Sequence, residues 1–119
     1  MNKLIAWVEI PVLDMHRAVD FYNAVFKLSL KAMDFGNEKM AFFPNDEGAL
    51  SQAKNFNPSK DGVLTSFNVA DSMESTIEHI IERNGTIVLP KTKIEAEGRG
   101  YFAIFIDSEG NKIGLYSQN

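Results

Sequence analysis

Cysteine is absent from these 119 residues, which excludes a disulfide framework, a cysteine-ligated zinc site and a thiol nucleophile. Positive charge is in short supply as well: 12 Lys and Arg face 16 Asp and Glu, for a formal net charge of −4. Binders of phosphate backbones carry a basic face, so nucleic acid is not an expected partner. No apolar run approaches the ~18 residues of a spanning helix, and the one near the amino end is cut by Glu9. That run is also too short for a secretory leader, so no membrane partner and a cytoplasmic location are expected. Without a leader, Asn84-Gly85-Thr86 reads as a helix end rather than a glycosylation acceptor. Nucleophile–base motifs, phosphate loops and dinucleotide fingerprints are missing too. What is present is enough to fold: 45% hydrophobic residues and 11% aromatics in a chain long enough to bury a core without a metal or cross-link.

Two helices announce themselves by periodicity. Met15, Ala18, Val19, Tyr22, Val25 and Phe26 form one apolar stripe, with Asp14 placed to cap it and His16, Arg17, Asp20 and Asn23 on the solvated side. Met73, Ile77, Ile80 and Ile81 form the second stripe. Asp71 is placed as its cap, with Glu74 three residues on as in a capping box, and Gly85 as the left-handed residue that ends it.

The remainder reads as strands: 3–11, 28–33, 39–43 and 48–53 around the first helix, then 63–69, 86–91, 100–106 and 112–116 around the second. Turn chemistry separates them, as in Phe35-Gly36-Asn37 and Ser108-Glu109-Gly110-Asn111. The order β-α-β-β-β therefore occurs twice. Val12-Leu13-Asp14 recurs 57 residues on as Val69-Ala70-Asp71, and Ala41-Phe42-Phe43 recurs 62 residues on as Ala103-Ile104-Phe105. The difference implies an insertion near 94–99. A single α+β domain of two modules, about 1–57 and 58–119, is expected, joined by a polar linker at 55–62.

Val12-x-Asp14 followed by Arg17-Ala18-x-x-Phe21-Tyr22 resembles the vicinal oxygen chelate superfamily, which includes glyoxalase I, bleomycin-resistance proteins and extradiol dioxygenases. The closing Asp107-x-x-Gly110-x-x-Ile113 is similar to that superfamily's last hairpin. The resemblance implies two βαβββ modules forming a curved eight-stranded sheet around a cleft, and a homodimer with clefts within or between chains. It also implies four metal-ligand positions. Carried over, these are Trp7, Leu64, Gly114 and, through the 62-residue repeat, Gln52 (with Ser51 as the alternative). None of these offers the imidazole or carboxylate donors a divalent transition metal requires, so neither metal nor other cofactor is expected. Activities resting on that metal, those of glyoxalase I and the extradiol dioxygenases, are disfavoured.

Alternation from those positions turns Trp7, Glu9, Leu64, Ser66 and Asn68 toward the cleft, together with Ala41, Phe43, Leu50, Gln52, Tyr101, Ala103, Phe105, Lys112 and Tyr116. Such a surface suits a small apolar or aromatic ligand, with Trp7, Phe43, Gln52, Leu64, Ser66, Tyr101 and Phe105 as contacts. Glu9 stands out as a carboxylate on an otherwise apolar strand. Buried, it is a candidate general base or anchor for a cationic group; otherwise it is wetted at the cleft mouth or paired with a lysine. Lys91, Lys93 and Arg99 offer a basic rim or simply a solvated face. Three functions stay open: sequestration of a small molecule, a metal-independent lyase or isomerase, and a ligand-sensing or protein-interaction module.

Overall fold

The computed structural model describes residues 3–70 and 72–119. Strand β1 (Val8–Pro11) leads into helix α1 (Met15–Phe26), followed by β2 (Ala32–Asp34), β3 (Glu38–Phe42) and β4 (Gly48–Ala53). The series repeats as β5 (Thr65–Asn68), α2 (Met73–Glu82), β6 (Thr86–Lys93), β7 (Tyr101–Ile106) and β8 (Lys112–Ser117). The eight strands form two mixed four-stranded sheets, ordered β1-β4-β3-β2 and β5-β8-β7-β6, each opened by a parallel pair and completed antiparallel. The two-module α+β fold is present, with its eight strands in two separate halves.

Local chemistry explains the helix ends. The Asp14 carboxylate accepts the Arg17 backbone N–H at 3.2 Å, an N-cap, and Lys27 stops α1 in the left-handed region. The expected cap Asp71 lies outside the described residues, and Glu74 pairs with Lys91 at 2.7 Å. At the end of α2 it is Asn84, not Gly85, that takes positive φ. Gly85 is needed for space instead, because a Cβ there would lie 2.6 Å from Ile80 Cγ2. Thr76 is buried where the stripe predicts Ile81, which is 58% exposed.

Both helices and one face of each sheet share a single core. Val12, Leu50 and Ala41 of the first module pack in one cluster with Phe105, Ile113 and Leu115 of the second. Helix α1 supplies the joint: Tyr22 has ring centroids 6.3 Å from Phe43 and 5.8 Å from Phe67, while Phe21 lies 6.2 Å from Phe105. Because each sheet turns one face to this common core, its other face points outward.

Polar contacts fasten the same joint. The Glu109 side chain is fully buried and accepts the backbone N–H groups of Leu13 and Asp14, both at 2.8 Å, at the entry to α1. Arg17 donates to it through Nε at 2.8 Å and Nη2 at 3.0 Å, and Ser108 Oγ adds a bond at 2.9 Å. Tyr22 donates its hydroxyl to Asp107 at 2.6 Å, and Asn111 reaches the Pro11 carbonyl at 2.7 Å. Arg17, expected to be merely solvated, is half of this clamp. So the last turn of the second module holds the strand–helix junction of the first.

Burial by itself pushes the Glu109 carboxyl up, but its bonds from Arg17, the Asp14 and Leu13 amides and Ser108 outweigh that and hold it below the ordinary value of 4.5. A depressed folded-state value stabilises the fold above the unfolded value and loses that stabilisation as pH falls through the folded one. Denaturant midpoints of the wild type should therefore drop below roughly pH 5 more steeply than those of Glu109→Gln. At neutral pH, Glu109→Ala should cost about 1.5–3 kcal/mol, because two junction amides and Arg17 lose a charged acceptor. Urea titrations across pH check both; a flat difference between wild type and Gln variant would remove Glu109 from the acid response.

Candidate functional site

The outward faces follow from strand register, since directly paired residues share a face. On the first sheet Glu9 pairs with Ala49 and Ala49 with Phe42; on the second, Ser66 pairs with Gly114 and Gly114 with Ile104. Ile10, opposite in phase to Glu9, is in the core. Trp7 and Glu9 therefore look outward together, as do Leu64 and Ser66 on the other sheet, in agreement with the alternation read from sequence.

Four expected contacts fall elsewhere. Phe105 pairs with Ile113 and is fully buried against α1, so it is a core residue rather than an outward one. Phe43 packs on Tyr22 and Phe67 on the helix side. Tyr101 packs against the core, with Lys91 Nζ 4.6 Å above its ring. Gln52 Oε1 accepts the Met15 backbone N–H at 2.8 Å, a structural bond at the start of α1. Ala41, Leu50 and Ala103 are likewise core residues. Lys91 is occupied by Glu74 and Tyr101, which takes it out of the proposed basic rim.

The cause is a second insertion that the repeat in the residues does not reveal. Phe42 and Ile104 are equivalent at a spacing of 62, but their partners Ala49 and Gly114 are 65 apart (114 − 49 = 65), because the β7–β8 hairpin runs on through the pairs Phe105–Ile113 and Ile106–Lys112 before it turns. A three-residue error is odd, and an odd shift along a strand moves every side chain to the opposite face.

The first outward face carries an exposed aromatic cluster. Trp7, 38% exposed, meets Phe42 edge to face at a centroid distance of 6.0 Å, and Phe35 lies 6.3 Å from Phe42. Glu9 is exposed beside it and accepts the Trp7 indole N–H at 3.2 Å. Its carboxylate is thus solvated and oriented by the indole, which matches the wetted reading rather than the buried one. The second outward face is milder, with Leu64 44% exposed and Ser66 an exposed polar residue.

With register corrected, the four ligand positions implied by the resemblance become Trp7, Ala49, Leu64 and Gly114. This set contains no imidazole, carboxylate or other effective donor, so it does not fit a divalent metal. Gly114 is closed in a second way, because a Cβ built there would run into Ser66 Oγ. Among the described residues no three His, Asp or Glu side chains converge as a metal group. Elemental analysis of untagged protein should find less than stoichiometric zinc, nickel, iron and manganese; one bound metal per chain would overturn this donor argument.

The molecule as a whole can be set beside known proteins. Residues 4–115 match the model of the Glyoxalase/Bleomycin resistance protein/Dioxygenase superfamily. Among solved structures, a glyoxalase/bleomycin resistance protein/dioxygenase domain from Frankia sp. EAN1pec is similar with a TM-score of 0.76 at 12% identity, over 98% of each chain. A family enzyme from Burkholderia phytofirmans PsJN gives 0.72 at 14% identity, over 97% of this chain and 98% of that one. The fosfomycin resistance protein FosX from Mesorhizobium loti gives 0.67 at 16% identity, over 98% and 92%. No curated protein matches in a sequence search. These identities carry the fold alone, but the family match covers nearly the whole sequence, and the chain belongs to the Glyoxalase/Bleomycin resistance protein/Dioxygenase superfamily.

Proposed function

We propose that this protein binds a small apolar or aromatic compound on its outward sheet faces, without a transition metal, as a cytoplasmic homodimer of the glyoxalase/bleomycin-resistance type. The observation that carries the reading is the exposed Trp7–Phe42–Phe35 cluster with a solvated carboxylate at its edge. An aromatic surface with one oriented polar group supplies both stacking area and direction. Each sheet spends one face on the shared core, and a second protomer supplies the wall that closes a cleft over the other. The free edges of β1 and β5 and the exposed Leu4, Ile5 and Val63 support that assembly. No described helix is long and apolar enough to cross a membrane.

A second reading, a metal-independent lyase or isomerase, is favoured by Glu9 alone. The indole bond engages Oε2, which leaves Oε1 to take a proton from a ligand stacked on Trp7. A third, a ligand sensor or protein-interaction module, rests on the same apolar face.

Trp7 is the one tryptophan in the chain, so its fluorescence reports directly on this face. Titrating hits from a metabolite thermal-shift screen should quench it saturably. Glu9→Gln should fold as the wild type does yet weaken binding about tenfold, the worth of a charged hydrogen bond; turnover lost in that variant would identify the enzyme reading. Sedimentation should give a dimer at micromolar concentration. A stable monomer whose hits leave Trp7 fluorescence unchanged would refute the proposal.

A further inference from the structure

A cavity of about 750 Å³ opens between the C-terminal end of α1, the edge strand β5 and the first turns of α2. Its walls include none of Trp7, Glu9, Phe42, Ala49 or Gly114, so it is separate from the aromatic cluster of the outward faces. The volume lies within the roughly 300–1,000 Å³ typical of small-molecule sites. Three rings, from α1, β5 and the turn after β3, line its apolar part. Phe26 and Phe67 stack with centroids 4.5 Å apart, and Phe43 meets Phe67 edge on at 5.5 Å. Helix packing has already fixed these rings, so a flat ligand would meet a preformed aromatic wall.

The polar part of the lining has hydrogen-bonding capacity to spare. Asn68 is spent on the Ala70 amide, and Ser72 on the Val69 carbonyl. Thr65, Thr76 and His79 also line the cavity, and among the described residues their side chains make no hydrogen bond to protein, while Ser66 turns its hydroxyl to the outward face. One hydroxyl from β5, one hydroxyl from α2 and an imidazole thus supply donors and acceptors across a short distance. Formal charge gives no selection, since Lys3 and Lys27 are balanced by Asp46 and Glu47 around the rim.

We infer that this inter-module cavity is a second ligand site, for a neutral aromatic compound of one or two fused rings bearing a hydroxyl or carbonyl. The rings lie against Phe26, Phe43 and Phe67, and the oxygen bonds to the Thr76–His79 side. A charged ligand gains nothing from the balanced rim, and a purely aliphatic one leaves the hydroxyls unused.

The probe is 2-naphthol, titrated into the intact protein and followed by amide and aromatic NMR. Saturable shifts should centre on Phe26, Phe43, Phe67 and Thr76, with a dissociation constant below ~1 mM. Ser75→Phe places bulk on a half-buried position of the wall and should weaken binding about tenfold or more. His79→Phe, which keeps a ring and removes the polar atoms, serves as a second variant should Ser75→Phe fold poorly, and should also weaken binding. Trp7→Ala should leave the cavity titration unchanged while abolishing binding at the outward face, so the two sites fail independently. No saturable shift, shifts centred on Trp7 and Phe42, or undiminished binding in well-folded cavity variants would overturn the inference.

Discussion

Glu109 lies near the end of the chain, yet its carboxylate receives the amides of Leu13 and Asp14, 96 and 95 residues earlier. A helix start leaves backbone donors unpaired, and negative charge is favoured there by the helix dipole as well as by the bonds themselves. Arg17, one turn into the same helix, compensates the buried charge from the other side. Removing a carboxylate from water is expensive, and only this full set of partners makes it stable. The arrangement therefore exists only when both halves are in place. With Tyr22 on Asp107 and Asn111 on Pro11, it makes the relation between the modules specific, where apolar packing alone would allow sliding.

That joint determines where chemistry can occur. Since α1 contributes Tyr22 to both sheets, each sheet spends one face on the shared core and keeps the other for the outside. The positions that the resemblance implies for a metal fall on the outside faces and here are filled by an indole, a methyl group, an isobutyl group and a hydrogen. Nothing in that set competes for a cation, and Trp7 with Phe42 instead makes a stacking surface. The space left between the modules is the complement of the same joint: where the helices do not fill the gap beside β5, a cavity remains with phenylalanines on one side and hydroxyls on the other.

Much of the fold was legible from local patterns. Both helices, all eight strands to within a few residues, and the duplication follow from apolar period and turn residues, because those depend on neighbours in the chain. The outward placement of Trp7, Glu9, Leu64 and Ser66 was also legible, since β1 and β5 are anchored directly to the helices they precede. Phe43, Gln52, Tyr101 and Phe105 were misplaced for one reason. Their faces depend on how far each strand has slipped along its partner, and the longer β7–β8 hairpin altered that slip without disturbing the sequence repeat. The role of Glu109 left a faint trace, an acidic residue in a turn otherwise read only as turn chemistry.

Sequence by itself determined the fold family, through local period, turn residues and the motif around α1. Tertiary structure alone decided which strand residues meet the core, which carboxylate is buried and paired, and where an unfilled volume remains. Each of these depends on register and packing between residues remote in the chain. Glu9 and Glu109 illustrate the division: one sits on an apolar strand yet is solvated beside Trp7, the other in a polar turn yet is enclosed against α1. Burial of a charge is set by what the rest of the chain brings to it, and no local pattern records that.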